Sequence, residues 1–130
     1  MVQWTASPVS GRGRGRSLQR PTLNLPCEEV PAKLPEGIYA CRVLLTFEDG
    51  TTQGPLPAAI HYGPRPVFQD TKSCEVHLID ATPAREPERV TVEVVARLRD
   101  VQDFTSADAL REQMAKDVDE ARTIIQSMNL

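Results

Sequence analysis

Arg89-Val-Thr-Val-Glu-Val-Val-Ala-Arg-Leu-Arg99, followed closely by Thr105-Ser-Ala-Asp-Ala-Leu-Arg-Glu-Gln-Met114, is where the chain changes from one periodicity to another. In the first segment Val90, Val92, Val94, Ala96 and Leu98 alternate with Thr91, Glu93, Arg97 and Arg99, and Val95 is the one apolar residue on the polar side. Period two predicts a strand with one buried face and one wet or partner-facing face. Beyond Phe104, Ala107, Leu110, Met114, Val118, Ala121, Ile125 and Met128 recur at steps of three and four, which is one face of an α-helix. The spacing predicts that helix over 106–128, with Thr105 as its cap and Asp108 at the capping-box position near the positive end of the helix dipole.

Upstream, residues 38–48 place Tyr39, Cys41, Val43, Leu45 and Phe47 on one face of a second strand. Asp49-Gly50 supplies the positive φ angles of a two-residue hairpin turn, and the polar return segment breaks at Gly54-Pro55, so a short hairpin is expected. Residues 56–62 are apolar, but Pro57 cannot donate to a ladder and confines such a strand to a sheet edge. Cys74, Val76 and Leu78 alternate with Glu75 and His77 in a further strand. The fold class is therefore α+β: a small, mostly antiparallel sheet with a C-terminal amphipathic helix, forming one β-rich domain over 37–130.

The first 36 residues read differently. Pro8, Pro21, Pro26, Pro31 and Pro35 fall there with Gly11, Gly13 and Gly15, and no apolar period is sustained, so residues 1–36 are expected to form an extended arm. Arg12, Arg14, Arg16 and Arg20 lie in it with no acid before residue 27, which leaves 11 basic against 18 acidic residues in the remainder, a net of −7. A basic arm on an acidic body can dock on an acidic neighbour, including a second copy. Its Gly-Arg run also resembles RNA tethers, but no aromatic residues are interleaved, so nucleic acid is the less favoured partner.

Cys27, Cys41 and Cys74 match neither a zinc site nor a secreted disulfide framework and are read as reduced thiols. With no signal-like or membrane-spanning apolar run, a cytoplasmic protein without membrane insertion is expected. His61 and His77 have no Cys, Asp or Glu at ligand spacing and read as surface or rim residues, and the chain carries neither a Gly-x-Ser-x-Gly elbow nor a Walker loop. Composition and motifs thus predict no catalytic residue, no metal, no cofactor and no small-molecule substrate.

The stretch Val92-Glu-Val-Val-Ala-Arg-Leu-Arg-Asp-Val-Gln-Asp-Phe104, continued by Thr105–Met114 and Glu120-Ala-Arg122, resembles the C-terminal part of the small sheath subunit of type VI secretion systems, the TssB/VipA family. Arg42-Val-Leu-Leu-Thr-Phe-Glu48 and Leu56-Pro-Ala-Ala-Ile-His-Tyr-Gly63 look like that family's earlier segments, so about 70 residues carry the likeness. The resemblance implies a structural subunit of a contractile sheath, paired with a larger TssC-like subunit and with copies of itself around an inner tube. It implies partner contacts through Leu110, Met114, Val118, Ala121, Ile125 and Met128, a strand–helix corner at Arg97, Arg99, Asp103 and Phe104, and arm contacts through Arg12, Arg14, Arg16 and Arg20. A viral capsid or tail accessory protein and an RNA-tethering module are the alternatives.

Overall fold

Alternation along the chain produces six strands: β1 (Gln3–Ala6), β2 (Thr22–Leu25), β3 (Gly37–Thr46), β4 (Thr52–Pro64), β5 (Lys72–Leu78) and β6 (Arg89–Arg99). A 3-10 turn, Cys27–Glu29, follows β2, and the α-helix among the described residues is α1 (Ala107–Met128). The computed structural model describes residues 2–9, 22–64 and 72–128. Every strand pair is antiparallel, in the order β1-β6-β3-β4-β5-β2.

Part of the stretch expected as an extended arm is woven into this sheet as its two edge strands, β1 and β2. Trp4, Ala6 and Leu25 from those edges bury in the same core as Cys41, Val43, Leu45, Ile60, Val76 and Val92 from the middle, so the sheet curls around its own inner face. Beyond the end of β1, Val9 N donates to Asn24 O on β2 at 2.7 Å, which links the two edges. Curling gives a chain of this size a core that a flat sheet of short strands could not enclose.

Four local expectations are corrected. The Asp49-Gly50 turn is wider than a two-residue hairpin: Phe47 N donates to Thr51 O at 2.9 Å, closing a three-residue loop with Gly50 at φ 87°. The returning strand β4 is long and runs through Gly54-Pro55 and Pro57. It lies between β3 and β5 rather than at an edge. Pro57 is tolerated because its O, accepting from Ile79 N at 2.9 Å, faces the very end of β5, where the missing N–H forfeits no ladder bond.

The third correction concerns β6. Pairing with β3 skips Val95, between Val94↔Cys41 and Ala96↔Ala40, so this residue is a bulge rather than an intruder on a wet face. The bulge flips the alternation. Val90, Val92 and Val94 face the curled interior, whereas Ala96 and Leu98 face outward against α1. There Ala40, Ala59 and Ala96 leave a shallow floor into which Val118, Ala121 and Ile125 pack with Ile79. The helix cap is Ser106 rather than Thr105: its Oγ accepts from Ala109 N at 3.1 Å. Among the described residues no helix is long and apolar enough to cross a membrane.

All three cysteines are free thiols. Cys41 and Cys74 face the closed interior, where burial pushes the Cys41 thiol well above its ordinary value and that of Cys74 up to about 12. Cys27 is half-exposed. The native chain should therefore react with one equivalent of a disulfide reagent, at Cys27, and with three only in denaturant. Mass mapping of the labelled chain checks this, and fast labelling of Cys41 would show that the curled sheet opens.

Candidate functional site

The inner face of the sheet is apolar, so chemistry must lie on the outer one. Leu25, Cys74, Val76, Leu78, Ile60 and Tyr62 point inward, and period two therefore turns Thr22 and Asn24, Glu75 and His77, and Ala59 and His61 outward. Register then lines them up across three strands. Asn24 on β2 pairs with Glu75 on β5, and Glu75 with His61 on β4. In the next row Thr22 pairs with His77, and His77 with Ala59. Thr22 Oγ1 and His77 Nδ1 are 3.2 Å apart. Ser73 Oγ donates to Glu75 Oε2 at 3.0 Å, holding one carboxylate oxygen of the central residue.

His61 is buried, at 9% exposure, and among the described residues neither ring nitrogen has a hydrogen-bond partner. The carbonyls of His61 and Pro64 stand near the ring without closing such a bond. Burial holds the imidazole below its ordinary value of 6.5, Glu75 opposes that and Arg99 reinforces it, so the ring is neutral at neutral pH. The unfolded chain binds this proton more readily, so His61 costs stability as pH falls below 6.5. Denaturant melts across that range should show a shallower decline in His61→Asn than in the parent chain, and equal slopes would contradict the assignment.

An ion pair and an apolar corner close the site on the helix side. Arg99 Nε and Nη2 donate to Asp117 Oδ1 and Oδ2 at 2.9 and 2.7 Å, and Gln113 Nε2 donates to Oδ1 at 3.0 Å. The Arg99 guanidinium lies 5.9 Å from the centre of the Phe104 ring. Val101 lies against Gly63: a Cβ there would come within 3.0 Å of its side chain, and Gly63 has φ 146°. Both facts explain a glycine two residues beyond His61.

The residues singled out from sequence are divided by the fold. Val118, Ala121 and Ile125 are buried on the chain's own sheet, Leu110 and Met114 are half-buried, and Met128 is 43% exposed. Arg97 pairs with Asp100 at 2.7 Å and donates to Glu36 O at 2.8 Å, away from Arg99, and Asp103 is exposed. Arg12, Arg14, Arg16 and Arg20 lie outside the described residues. Thr22, Asn24 and Glu75 were not identified as site residues, because each is only the polar half of a short alternating segment until the register brings them together. The expectation of surface or rim histidines also fails, since both His61 and His77 are buried.

Comparison with known proteins gives a consistent result. The family model described as "Flavokinase: Riboflavin kinase" matches residues 2–125. A bifunctional riboflavin kinase/FMN adenylyltransferase of Escherichia coli (strain K12) is 32% identical over 110 residues, covering 84% of this chain and 33% of that protein. The protein of the same name from Shigella flexneri matches to the same extent, so the chain spans about a third of the length of these curated relatives. Among solved structures, riboflavin kinase from Trypanosoma brucei aligns with TM-score 0.65 at 20% identity, covering 95% of this chain and 79% of that one. A structure titled as a macrolide-efflux protein from Streptococcus pneumoniae aligns with TM-score 0.70 at 26% identity, over 92% of this chain and 38% of that one.

These matches overturn the sheath reading, and with it the capsid and RNA-tether alternatives, the expectation that the chain is not an enzyme, the TssC-like partner and the exclusion of a small-molecule substrate. The sheath likeness rested on an alternating strand, a corner and an amphipathic helix, a sequence of elements that burial alone produces in many α+β domains.

Proposed function

Because the chain belongs to the riboflavin kinase family, we propose that it transfers the terminal phosphoryl group of a nucleoside triphosphate to the primary hydroxyl of riboflavin's ribityl chain, forming FMN. The observation that carries this reading is Glu75, a carboxylate at the centre of the outer-face row, held through one oxygen by Ser73 and flanked by Asn24 and His61. Phosphoryl transfer asks little covalent chemistry of a protein: it needs positioning, neutralised phosphate charge and a carboxylate to take the hydroxyl proton. Glu75 takes that proton. Thr22 and Asn24 offer oxygens to the nucleotide side.

Kinase chemistry also uses a nucleotide-bound Mg²⁺, which neutralises charge on the phosphates. Among the described residues no three His, Cys, Asp or Glu side chains cluster as a dedicated cage. The hydroxyl of Thr22 and the amide oxygen of Asn24 are hard donors that fit an ion held mostly by phosphate and water. Arg12, Arg14, Arg16 and Arg20, which precede β2 in sequence and lie outside the described residues, are guanidinium side chains of the kind that bind phosphate. Phe104, which lies by the Arg99 guanidinium, and the half-buried Val101, Leu110 and Met114 are apolar side chains suited to seating the flavin ring. Free thiols suit a reducing compartment.

The test is direct. The chain, incubated with riboflavin, ATP and Mg²⁺, should yield FMN by chromatography with flavin fluorescence. A folded chain that binds neither riboflavin nor nucleotide would overturn the reading.

A further inference from the structure

His61 is a buried polar group left without a hydrogen-bond partner among the described residues. Such a group costs free energy in the folded state, which points to a bond that is completed only during function. Its surroundings narrow the choice. Across one ladder stands apolar Ile38, with Ala59 two residues along β4 on the same face. At the strand end Val101 is packed against Gly63. Of the charged groups around it, Arg99 on β6 is committed to Asp117 on α1, Glu36 before β3 to Lys72 on β5, and Asp100 to Arg97. His77, on the same face of β5, lies by Thr22. The carbonyls of His61 and Pro64 stand near the ring without closing a bond, and the side chain that remains is Glu75, directly opposite on β5, whose Oε2 is held by Ser73 and whose Oε1 has no partner among the described residues. Side chains facing each other across an antiparallel pair are within reach of such a bond.

We propose that His61 is a positioning residue for Glu75, its imidazole N–H holding the second carboxylate oxygen in aim when the acceptor hydroxyl arrives. This rests on the reading of Glu75 as the group that takes the hydroxyl proton. The neutral ring supplies one donor, and with Ser73 it fixes the carboxylate at both oxygens. Two anchors leave the carboxylate one orientation along the outer face, with the remaining lone pairs turned to the substrate.

The experiment compares His61→Leu, His61→Asn and His61→Gln in the full chain, with Glu75→Gln as reference, measuring kcat, KM and the pH profile of FMN formation. His61→Leu should lower kcat roughly 10- to 100-fold, the scale of a hydrogen bond to a charged group. Both KM values should stay within about three-fold, since the substrates themselves lose no contact. The acid limb of the rate profile should move to higher pH, because a carboxylate that loses a donor protonates more easily. Whichever amide variant places its N–H correctly should restore most of the rate. In chain labelled at histidine nitrogens, adding riboflavin should move the His61 N–H resonance in the parent and not in Glu75→Gln.

A His61→Leu chain with kcat within two-fold of the parent and an unmoved profile would overturn the inference, as would an unmoved His61 resonance in the parent. So would a loss of rate that tracks lowered thermal stability and that neither amide variant repairs. If Glu75→Gln turns over like the parent, the proton-acceptor reading itself has failed, and the His61 inference with it. If Glu75→Gln is inactive while His61→Leu is normal, only the inference about His61 has failed.

Discussion

Glu75→Gln should lower the proposed phosphorylation of riboflavin by roughly 100- to 10,000-fold, the range over which a positioned proton acceptor contributes. The substitution keeps the volume and planarity of the side chain, and its amide oxygen can still accept from Ser73 Oγ, which stands 3.0 Å from the carboxylate now. Glu75 faces outward from β5 while its neighbours Cys74 and Val76 make the core, so the fold has no reason to respond. The effect should therefore fall on kcat, with KM for both substrates and the thermal midpoint little changed. Steady-state kinetics beside a melting curve make the distinction. Activity within three-fold of the parent would remove Glu75 from the reaction and leave the outer-face row a binding surface only.

Arg99→Leu, by contrast, acts on stability. Its side chain and that of Asp117 are only 18% and 8% exposed, and the two guanidinium–carboxylate bonds tie β6 to the middle of α1. Removing the cation leaves a buried carboxylate with Gln113 as its remaining described partner, a loss on the order of 3–5 kcal/mol. The matching double variant, Arg99→Leu with Asp117→Leu, should recover much of that, because an apolar pair of similar volume no longer strands a charge. Urea unfolding of the three variants reads the cycle. A single-variant loss under about 1 kcal/mol would mean that the carboxylate reaches water when its partner goes. Because Phe104 lies under the Arg99 guanidinium, the same substitution should loosen the corner that we assign to the flavin ring and raise KM for riboflavin.

The register also explains how the same residues supported a mistaken function. The Arg97-Leu-Arg99 corner and the apolar helix stripe are real features. Three of the stripe's residues, Val118, Ala121 and Ile125, are buried against Ala40 and Ala59 of the chain's own sheet. A stripe of this kind states that something covers it, not what. Thr22 and Asn24 were lost for a related reason. Four residues of alternation between prolines are too few to distinguish an edge strand from an extended arm.

Elements whose signal is local were determined by the sequence alone: β3, β5 and β6 from period two, α1 from period 3.6, and three free thiols from their spacing. In each, the side chains that decide the structure are neighbours along one strand or one helix face, so their order in the chain is their order in space. Only the tertiary structure decided the rest. The bulge at Val95 turns half of β6 toward the helix, and curling brings the core residues of β1 and β2 into one interior. Above all, the pairings Asn24↔Glu75↔His61 assemble a candidate site from three strands, of which β2 lies far from the other two along the chain. Each was invisible beforehand because a ladder's register is set by the burial of a whole face, not by any residue within the segment that it aligns.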